Sequence, residues 1–227
     1  MVRYQPKEDD PYSSHSIILR LAGEGQGKRL LDVGSAQGML AQRFRERGFA
    51  VTCIEAEASL AALGCDKCDK MIVADLDESV PQLKERFDVI VCGDILEHLR
   101  NPSAVLVELN RCLTTDGRVI VSVPNVAHLF VRMNLLCGRF EYMERGILDR
   151  THLRFFTRKT FRHLLDEAGL VVEQMLTTPV PLLLVLAAHR DRAWLRALHV
   201  INAIVARSWP TMFGYQFVAV ARPRRIA

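Results

Sequence analysis

The sequence predicts an α/β protein in which a mostly parallel sheet is flanked by helices. Short apolar runs alternate with helix-patterned segments along most of the chain, the order expected of strand–helix–strand units. The runs are nearly continuous in apolar residues, as in strands covered on both faces. With 227 residues, 49% apolar and 25% charged, the chain suits one domain, or one domain with an insertion. That balance excludes wholesale disorder and collagen-like or coiled-coil architecture.

Each element follows from local signals. Residues 1–28 are expected to form an arm and an N-terminal helix. Arg29–Val33 reads as a first strand ending in Gly34, followed by a helix from Gln37 to Arg47 that Gly48 stops. Phe49–Ile54, Lys70–Ala74 and Phe87–Cys92 read as the next three strands. Asn101-Pro102 starts a helix reaching about Leu113, since proline suits the first helical position. Asp116-Gly117 turns the chain into a fifth strand, Arg118–Val123. Residues 124–156 carry no regular pattern and are polar, basic and aromatic. Thr157 is placed to cap a helix ending at Ala168, with Gly169 as its stop. Leu170–Leu176 is a sixth strand, residues 178–210 a broken helical insertion, and Tyr215–Ala221 the closing strand before the basic tail Arg222-Pro-Arg-Arg225.

Composition narrows the function. A net charge of +4 is too small to argue for nucleic-acid binding by itself. The first ten residues lack the apolar core of a secretory signal. The longest apolar stretch, Pro179–Ala188, falls well short of the roughly 20 residues that a spanning helix needs. Six scattered cysteines suggest reduced, cytoplasmic thiols. Cys65-Asp-Lys-Cys68 is half a zinc site with no second half.

The informative residues fall at the carboxyl ends of the strands, where open parallel sheets bind ligands. Leu30-Leu-Asp-Val-Gly-Ser-Ala-Gln-Gly38 sets two glycines in the first strand-to-helix turn. Gly34 is expected to turn the backbone tightly, and Gly38 to let a ligand approach where a Cβ would intrude. The dinucleotide fingerprint fails because Ala36 and Met39 stand where glycines are needed, and a phosphate P-loop fails for want of Gly-Lys-Ser/Thr. Glu55 ends the second strand, where a carboxylate can accept from ribose hydroxyls. Asp75 ends the third, within reach of an adenine edge.

Together these residues resemble the class I S-adenosylmethionine-dependent methyltransferases over roughly residues 15–175, and the closing strand extends the resemblance to 221. It implies one Rossmann-like domain whose seven-stranded sheet is mostly parallel, with an antiparallel last strand and a helical insertion before it. It also implies S-adenosylmethionine as cofactor. Asp32, Gly34, Ser35 and Gly38 would form the methionine-side loop, Glu55 with Ala56 the ribose contact, and Asp75 with Leu76 the adenine contact. Cys92, Gly93 and Asp94 would run beside the amino-acid end.

Past the fourth strand, Asp94, Glu97 and His98 stand at i, i+3 and i+4, one face of a helical turn. His152 lies far downstream. This set resembles ubiquinone-biosynthesis O-methyltransferases and small-RNA 3′-terminal 2′-O-methyltransferases. The resemblance implies a divalent cation held by Asp94, Glu97, His98 and His152, although those groups tend to have Glu where this chain has Asp94. Two carboxylates and two imidazoles can hold such an ion with open positions. Two alternatives stand beside it: His152 as a lone general base, or Glu97-His98 capping the turn and bonding the loop at Asn125. Asn125 and His128, leaving the fifth strand, either face an acceptor or cap their loop. The candidate catalytic residues are therefore His152, His98, Glu97 and Asn125.

Residues 138–152 have the make-up of a water-excluding lid. The span from Val123 to Leu170 resembles methyltransferases found beside bacterial glycan and secondary-metabolite genes, which implies a small polar acceptor. The leading function is methyl transfer to a hydroxyl of a sugar, lipid-linked glycan, quinone-like compound or secondary metabolite. RNA 2′-O-methylation and non-catalytic cofactor binding are the alternatives, with nucleic acid disfavoured by the low charge. The apolar stripe of 182–207, interleaved with arginines, fits core packing or acceptor-pocket cover first. A homodimer face or peripheral contact at the inner face of a membrane are the other readings.

Overall fold

The computed structural model describes residues 10–224. The expected N-terminal arm before Asp10 and the end of the basic tail from Arg225 lie outside the described residues. Seven strands form one sheet: β1 (Arg29–Val33), β2 (Ala50–Glu55), β3 (Lys70–Val73), β4 (Phe87–Gly93), β5 (Leu113–Pro124), β6 (Leu170–Thr178) and β7 (Gln216–Pro223). Their order is β3-β2-β1-β4-β5-β7-β6. The pairs among β1 to β5 are parallel, and β7 enters between β5 and β6 antiparallel to both. The expected architecture, including the antiparallel last strand, is the one observed.

The continuous apolar runs are explained by two cores, one on each face. Leu30, Val51, Val89, Val91 and Ile120 pack with Ile17 and Ile18 of α1 (Ser14–Ala22) and Phe44 of α2 (Met39–Glu46). Their strand neighbours Leu31, Ile54, Ile90 and Val121 turn the other way, onto Leu106 and Leu109 of α4 (Pro102–Arg111) and Phe161 and Leu165 of α6 (Arg158–Glu167). Period-two alternation thus sends every other apolar side chain to a different core.

Helix starts follow their caps. The Asn101 side chain accepts from Ala104 N–H with Pro102 at the first helical position, and Thr157 with Thr160 forms a reciprocal capping box on α6. Three elements depart from expectation. α3 (Ala58–Gly64) was not anticipated. β5 begins at Leu113, so Asp116-Gly117 is an irregularity within a strand rather than a turn before one. A Cβ on Gly117 would lie 2.9 Å from the Phe87 carbonyl oxygen, which is why glycine serves there. The region 124–156 holds α5 (Leu129–Leu136), whose N-cap is His128.

The insertion comprises α7 (Leu182–Val185), a 3-10 turn, α8 (Ala193–Ser208) and α9 (Pro210–Phe213). No helix among the described residues is long and apolar enough to cross a membrane. All six cysteines are free thiols.

Candidate active site

Two hollows adjoin the carboxyl edge of the sheet. The first lies over β1 and β4, where the strand order reverses, the usual ligand position in such sheets. Gly34 adopts φ +73°, and its N–H and that of Ser35 both donate to the Ile54 carbonyl at 2.8 and 3.1 Å, fastening the turn to β2. A Cβ on Gly34 would stand 2.8 Å from Ile95 Cδ1. Glu55 Oε2 accepts from Ala36 N–H at 2.7 Å, so this carboxylate shapes the loop beside it.

Asp32 forms the floor of a pocket of about 400 Å³ shared with Gly34, Ser35 and Gly93. Burial, then the nearby Glu55 charge, pushes the Asp32 carboxyl up to about 7. Its Oδ2 is buried without a hydrogen-bond partner. A ligand cation is the chemistry that would answer this oxygen. At the adjoining strand ends, Ala74 N–H donates to the Glu55 carbonyl and Asp75 stands exposed, accepting from Asp77 N–H at 2.9 Å. Ala56 is exposed beside Glu55, and Leu76 is buried in the core.

Two expectations are corrected here. Gly38 (φ +71°) faces a helix: a Cβ there would lie 3.1 Å from Gly64 Cα, so the glycine permits close packing of α2 on α3 rather than close approach of a ligand. The Cys92 side chain is fully buried in the α4-facing core, where burial pushes its thiol up, and it presents no side chain to the pocket.

The second hollow is a cleft of about 1120 Å³ beyond β4. Gly93 pairs with Ser122, and Asp94 follows in the left-handed region at φ +54°. That conformation turns Asp94 toward the ends of β5 and β7. Ser122 Oγ–H donates to its Oδ1 at 2.6 Å, and Gln216 Nε2 donates to its Oδ2 at 2.9 Å. The expected helical face shared by Asp94, Glu97 and His98 therefore does not form, because the turn is a single 3-10 turn over Leu96–His98.

Glu97, His98 and His152 do come together. Their ligand atoms all lie within 4.8 Å of one another, without Asp94. The Glu97 side chain is 1% exposed, with Oε1 4.0 Å from His152 Nε2. The Glu97 carbonyl accepts from Leu153 and Arg154 N–H at 2.8 and 2.9 Å, which docks the returning lid on this turn. His98 Nδ1 lies 3.2 Å from the Thr151 carbonyl and His152 Nδ1 3.1 Å from that of Ile147. A carbonyl only accepts, so each ring carries a proton on Nδ1, which leaves Nε2 as the nitrogen that faces away from the backbone. Burial holds His152 below the usual imidazole range against the opposing pull of the Ile147 carbonyl, which keeps the ring neutral near pH 7.

Lid residues Glu144, Arg145 and Asp149 close one side of the cleft, and Leu184, Tyr215 and Gln216 the other. Burial raises the Tyr215 hydroxyl to about 12, with Asp94 adding to the effect. Phe140, Tyr142 and Phe155 stack edge-on in the lid, while Ile147 and Leu148 anchor it on Val131. Arg150 pairs with Glu144.

Asn125, expected among the catalytic residues, has another task. It is wholly buried, its Nδ2 donates to the Gly214 carbonyl at 2.7 Å, and its Oδ1 accepts from Ala127 N–H at 3.0 Å. These bonds tie the exit of β5 to the α9–β7 junction and leave no group facing the cleft. His128 Nδ1 likewise accepts from Phe130 N–H at 3.1 Å as the cap of α5. Sequence reasoning missed His15 on the first pocket and Tyr215, Gln216 and Leu184 on the cleft. Their positions come from long-range packing, and no local spacing marks them.

Comparison with known proteins identifies the family and the fold of the chain. A family model described as a methyltransferase domain matches residues 7–175. The chain is 30% identical over 159 residues to the ubiquinone biosynthesis O-methyltransferase of Aeromonas salmonicida, covering 66% of this chain and 65% of that one. It thus spans less than two thirds of the length of the curated relatives it matches. An S-adenosylmethionine-dependent methyltransferase from Mesorhizobium loti shares the fold at a TM-score of 0.62 and 16% identity, over 92% of this chain and 98% of that one. The magnesium protoporphyrin IX methyltransferase of Synechocystis, solved with bound S-adenosylhomocysteine, shares it at 0.59 and 15%, over 92% and 80%.

Proposed function

Because this chain belongs to the class I S-adenosylmethionine-dependent methyltransferases, we propose that it transfers a methyl group to a hydroxyl of a small-molecule acceptor. The Glu97–His98–His152 group on the wall of the cleft, with Glu97 and His152 buried and His98 half-buried, carries this reading. The ubiquinone O-methyltransferase relative supports oxygen as the target and a quinone-like ring among the acceptor classes. Sugars, lipid-linked glycans and secondary metabolites are the others.

The first pocket suits the cofactor. The unpartnered Asp32 Oδ2 fits an amino group, the Gly34 bend leaves the backbone open, and Glu55 and Asp75 are the acids for ribose and adenine. When bound, S-adenosylmethionine supplies a methyl group on a sulfonium, already activated toward attack by oxygen. The chain then has three tasks: to align the acceptor, to exclude water and to take up one proton. Alignment of this kind is worth roughly 7–11 kcal/mol. His152 Nε2, neutral and turned toward Glu97, is the group that takes the acceptor proton.

The same three side chains would also hold a divalent cation. Two imidazoles fixed from behind by carbonyls and one carboxylate leave coordination positions open for an acceptor oxygen. Such an ion would lower the pKa of the acceptor hydroxyl. A chelator added to an active preparation, followed by back-titration with magnesium, manganese and zinc, separates the roles. Loss and metal-specific recovery assign the cation, and undiminished turnover leaves His152 as the base alone. Absence of any calorimetric signal with S-adenosylhomocysteine would overturn the whole reading.

A further inference from the structure

We propose that the insertion α7–α9 is a docking face for an anionic lipid bilayer. The inference goes beyond methyl transfer and does not depend on it.

The carrying observation is the inverted distribution of side chains on α8. Its inner face is made of Leu195, His199, Ala203 and Ala206, three of them small or polar. The large apolar residues point outward: Trp194 is 53% exposed, Ile201 56% and Ile204 57%, with Leu198 beside them. Packing does not account for this outer face, because the inner one already anchors the helix. His199 Nε2 lies 3.0 Å from Asp10 Oδ1, Asn202 Nδ2 donates to the Val180 carbonyl at 2.8 Å, and Thr177 Oγ1 donates to the Ala206 carbonyl at 3.3 Å. An apolar surface left over in this way marks an interaction site.

Charge selects the occupant. α8 contains Arg196 and Arg207 and no Asp or Glu, and Arg190 and Arg192 precede it with Asp191 between them. A second copy docking through the same face would set one basic patch against the other, since a twofold interface uses the same patch on both subunits. Arg196 reaches Asp191 at 3.5 Å, and anionic headgroups answer the net positive charge that remains over Arg190–Arg207. Both tryptophans of the chain flank this helix, Trp194 at its start and Trp209 just past its end, each more than half exposed. Tryptophan favours the boundary between headgroups and acyl chains. Sixteen residues make a helix about 24 Å long, suited to lying in that boundary rather than crossing it.

The face also adjoins the cleft. Leu184, partly exposed on α7, lines both the acceptor cleft and a neighbouring pocket of about 580 Å³ that includes Leu183 and Arg190. A bilayer seated here would therefore lie beside the way into the site.

The test uses the full chain with phosphatidylcholine vesicles, with and without about a quarter phosphatidylglycerol. Co-sedimentation with the anionic vesicles is expected, falling several-fold in their neutral counterparts and again as salt is raised. Because both tryptophans sit on the face, their emission should shift to the blue on binding. Trp194→Asp and Ile201→Asp should each weaken binding roughly tenfold or more, while Leu63→Asp, exposed on α3, should not. All three change exposed side chains, and circular dichroism with S-adenosylhomocysteine affinity verifies that each variant is folded. Equal binding by folded Ile201→Asp, no sedimentation or emission shift with anionic vesicles, or a solution dimer broken by Ile201→Asp in a protein that ignores vesicles would each overturn the proposal.

Discussion

The pocket proposed for the cofactor and the cleft proposed for the acceptor sit on the same sheet edge but are built differently. The pocket is mostly one continuous stretch, Asp32 to Leu40, completed by Gly93 and by His15 of α1. Its acid is buried, poorly partnered and poised to meet a cation. The cleft draws on the exit of β4, the lid, the insertion and the start of β7. Its central groups are imidazoles fastened by backbone carbonyls from the lid. One region is a local backbone shape, whereas the other is an assembly of distant parts. The first should therefore fail through conformation and the second through chemistry.

The largest effect is expected from Gly34→Val. A β-branched side chain at φ +73° is strained by roughly 1–3 kcal/mol, and its Cβ would meet Ile95 besides. The turn that positions Ser35 and Ala36 should be lost, and S-adenosylhomocysteine binding should vanish in calorimetry. Wild-type affinity in this variant would show that the pocket does not depend on the bend.

His152→Ala is the complementary break. Loss of a positioned base or ligand costs about 10²–10⁴-fold in turnover, while affinity for S-adenosylhomocysteine should stay within twofold because His152 does not line the first pocket. A parallel fall in both quantities would mean that the two regions are not separable.

This contrast also governs what the sequence makes legible. The sheet, its order-setting strand ends and the Asp32–Gly34–Glu55 signature could be read locally, because backbone turns and period-two burial leave marks within a few residues. Glu97, His98 and His152 could be grouped only through the family resemblance, because no local spacing ties His152 to the other two. Asp94 was misplaced because spacing alone assumed a helical turn, whereas a left-handed residue redirects its carboxylate to Ser122 and Gln216. Asn125 is grouped with the catalytic residues from its place at the exit of β5, and its bonds to Ala127 and Gly214 give it the alternative, loop-capping role. α5 escaped notice because its cap is a histidine and most of its apolar residues are exposed.

Asp32→Asn sharpens the electrostatic side of the comparison at a smaller scale. In the folded chain Asp32 holds its proton to about pH 7, against an ordinary value of 3.8. The native state therefore binds the extra proton between these values, and the contribution of this group to stability falls as pH rises through that window. Asparagine removes the dependence. The variant should gain stability relative to wild type from pH 4 to 7, by up to about 4 kcal/mol, and hold that gain above, which a growing difference in melting temperature would report. Its affinity for S-adenosylhomocysteine should drop, and the rise in wild-type affinity as Asp32 ionises should disappear. A melting difference that is flat with pH would mean that Asp32 is ionised throughout.

The smallest effect is expected at the join between the cleft and its neighbouring pocket. Leu184 lines both and is already 40% exposed, so Leu184→Ala removes little from the core and should leave the melting temperature nearly unchanged. What it removes is part of the cleft wall proposed to hold the acceptor. Losing part of one apolar contact costs about 1 kcal/mol, equivalent to roughly a fivefold rise in the acceptor KM with kcat largely kept. The cofactor pocket shares no lining residue with this join, so S-adenosylhomocysteine affinity is the internal control. A shift in that affinity without a change in acceptor KM would reverse the assignment of the two hollows. An unchanged pair of constants would place the acceptor wholly against the lid side of the cleft, beside Arg145 and Asp149.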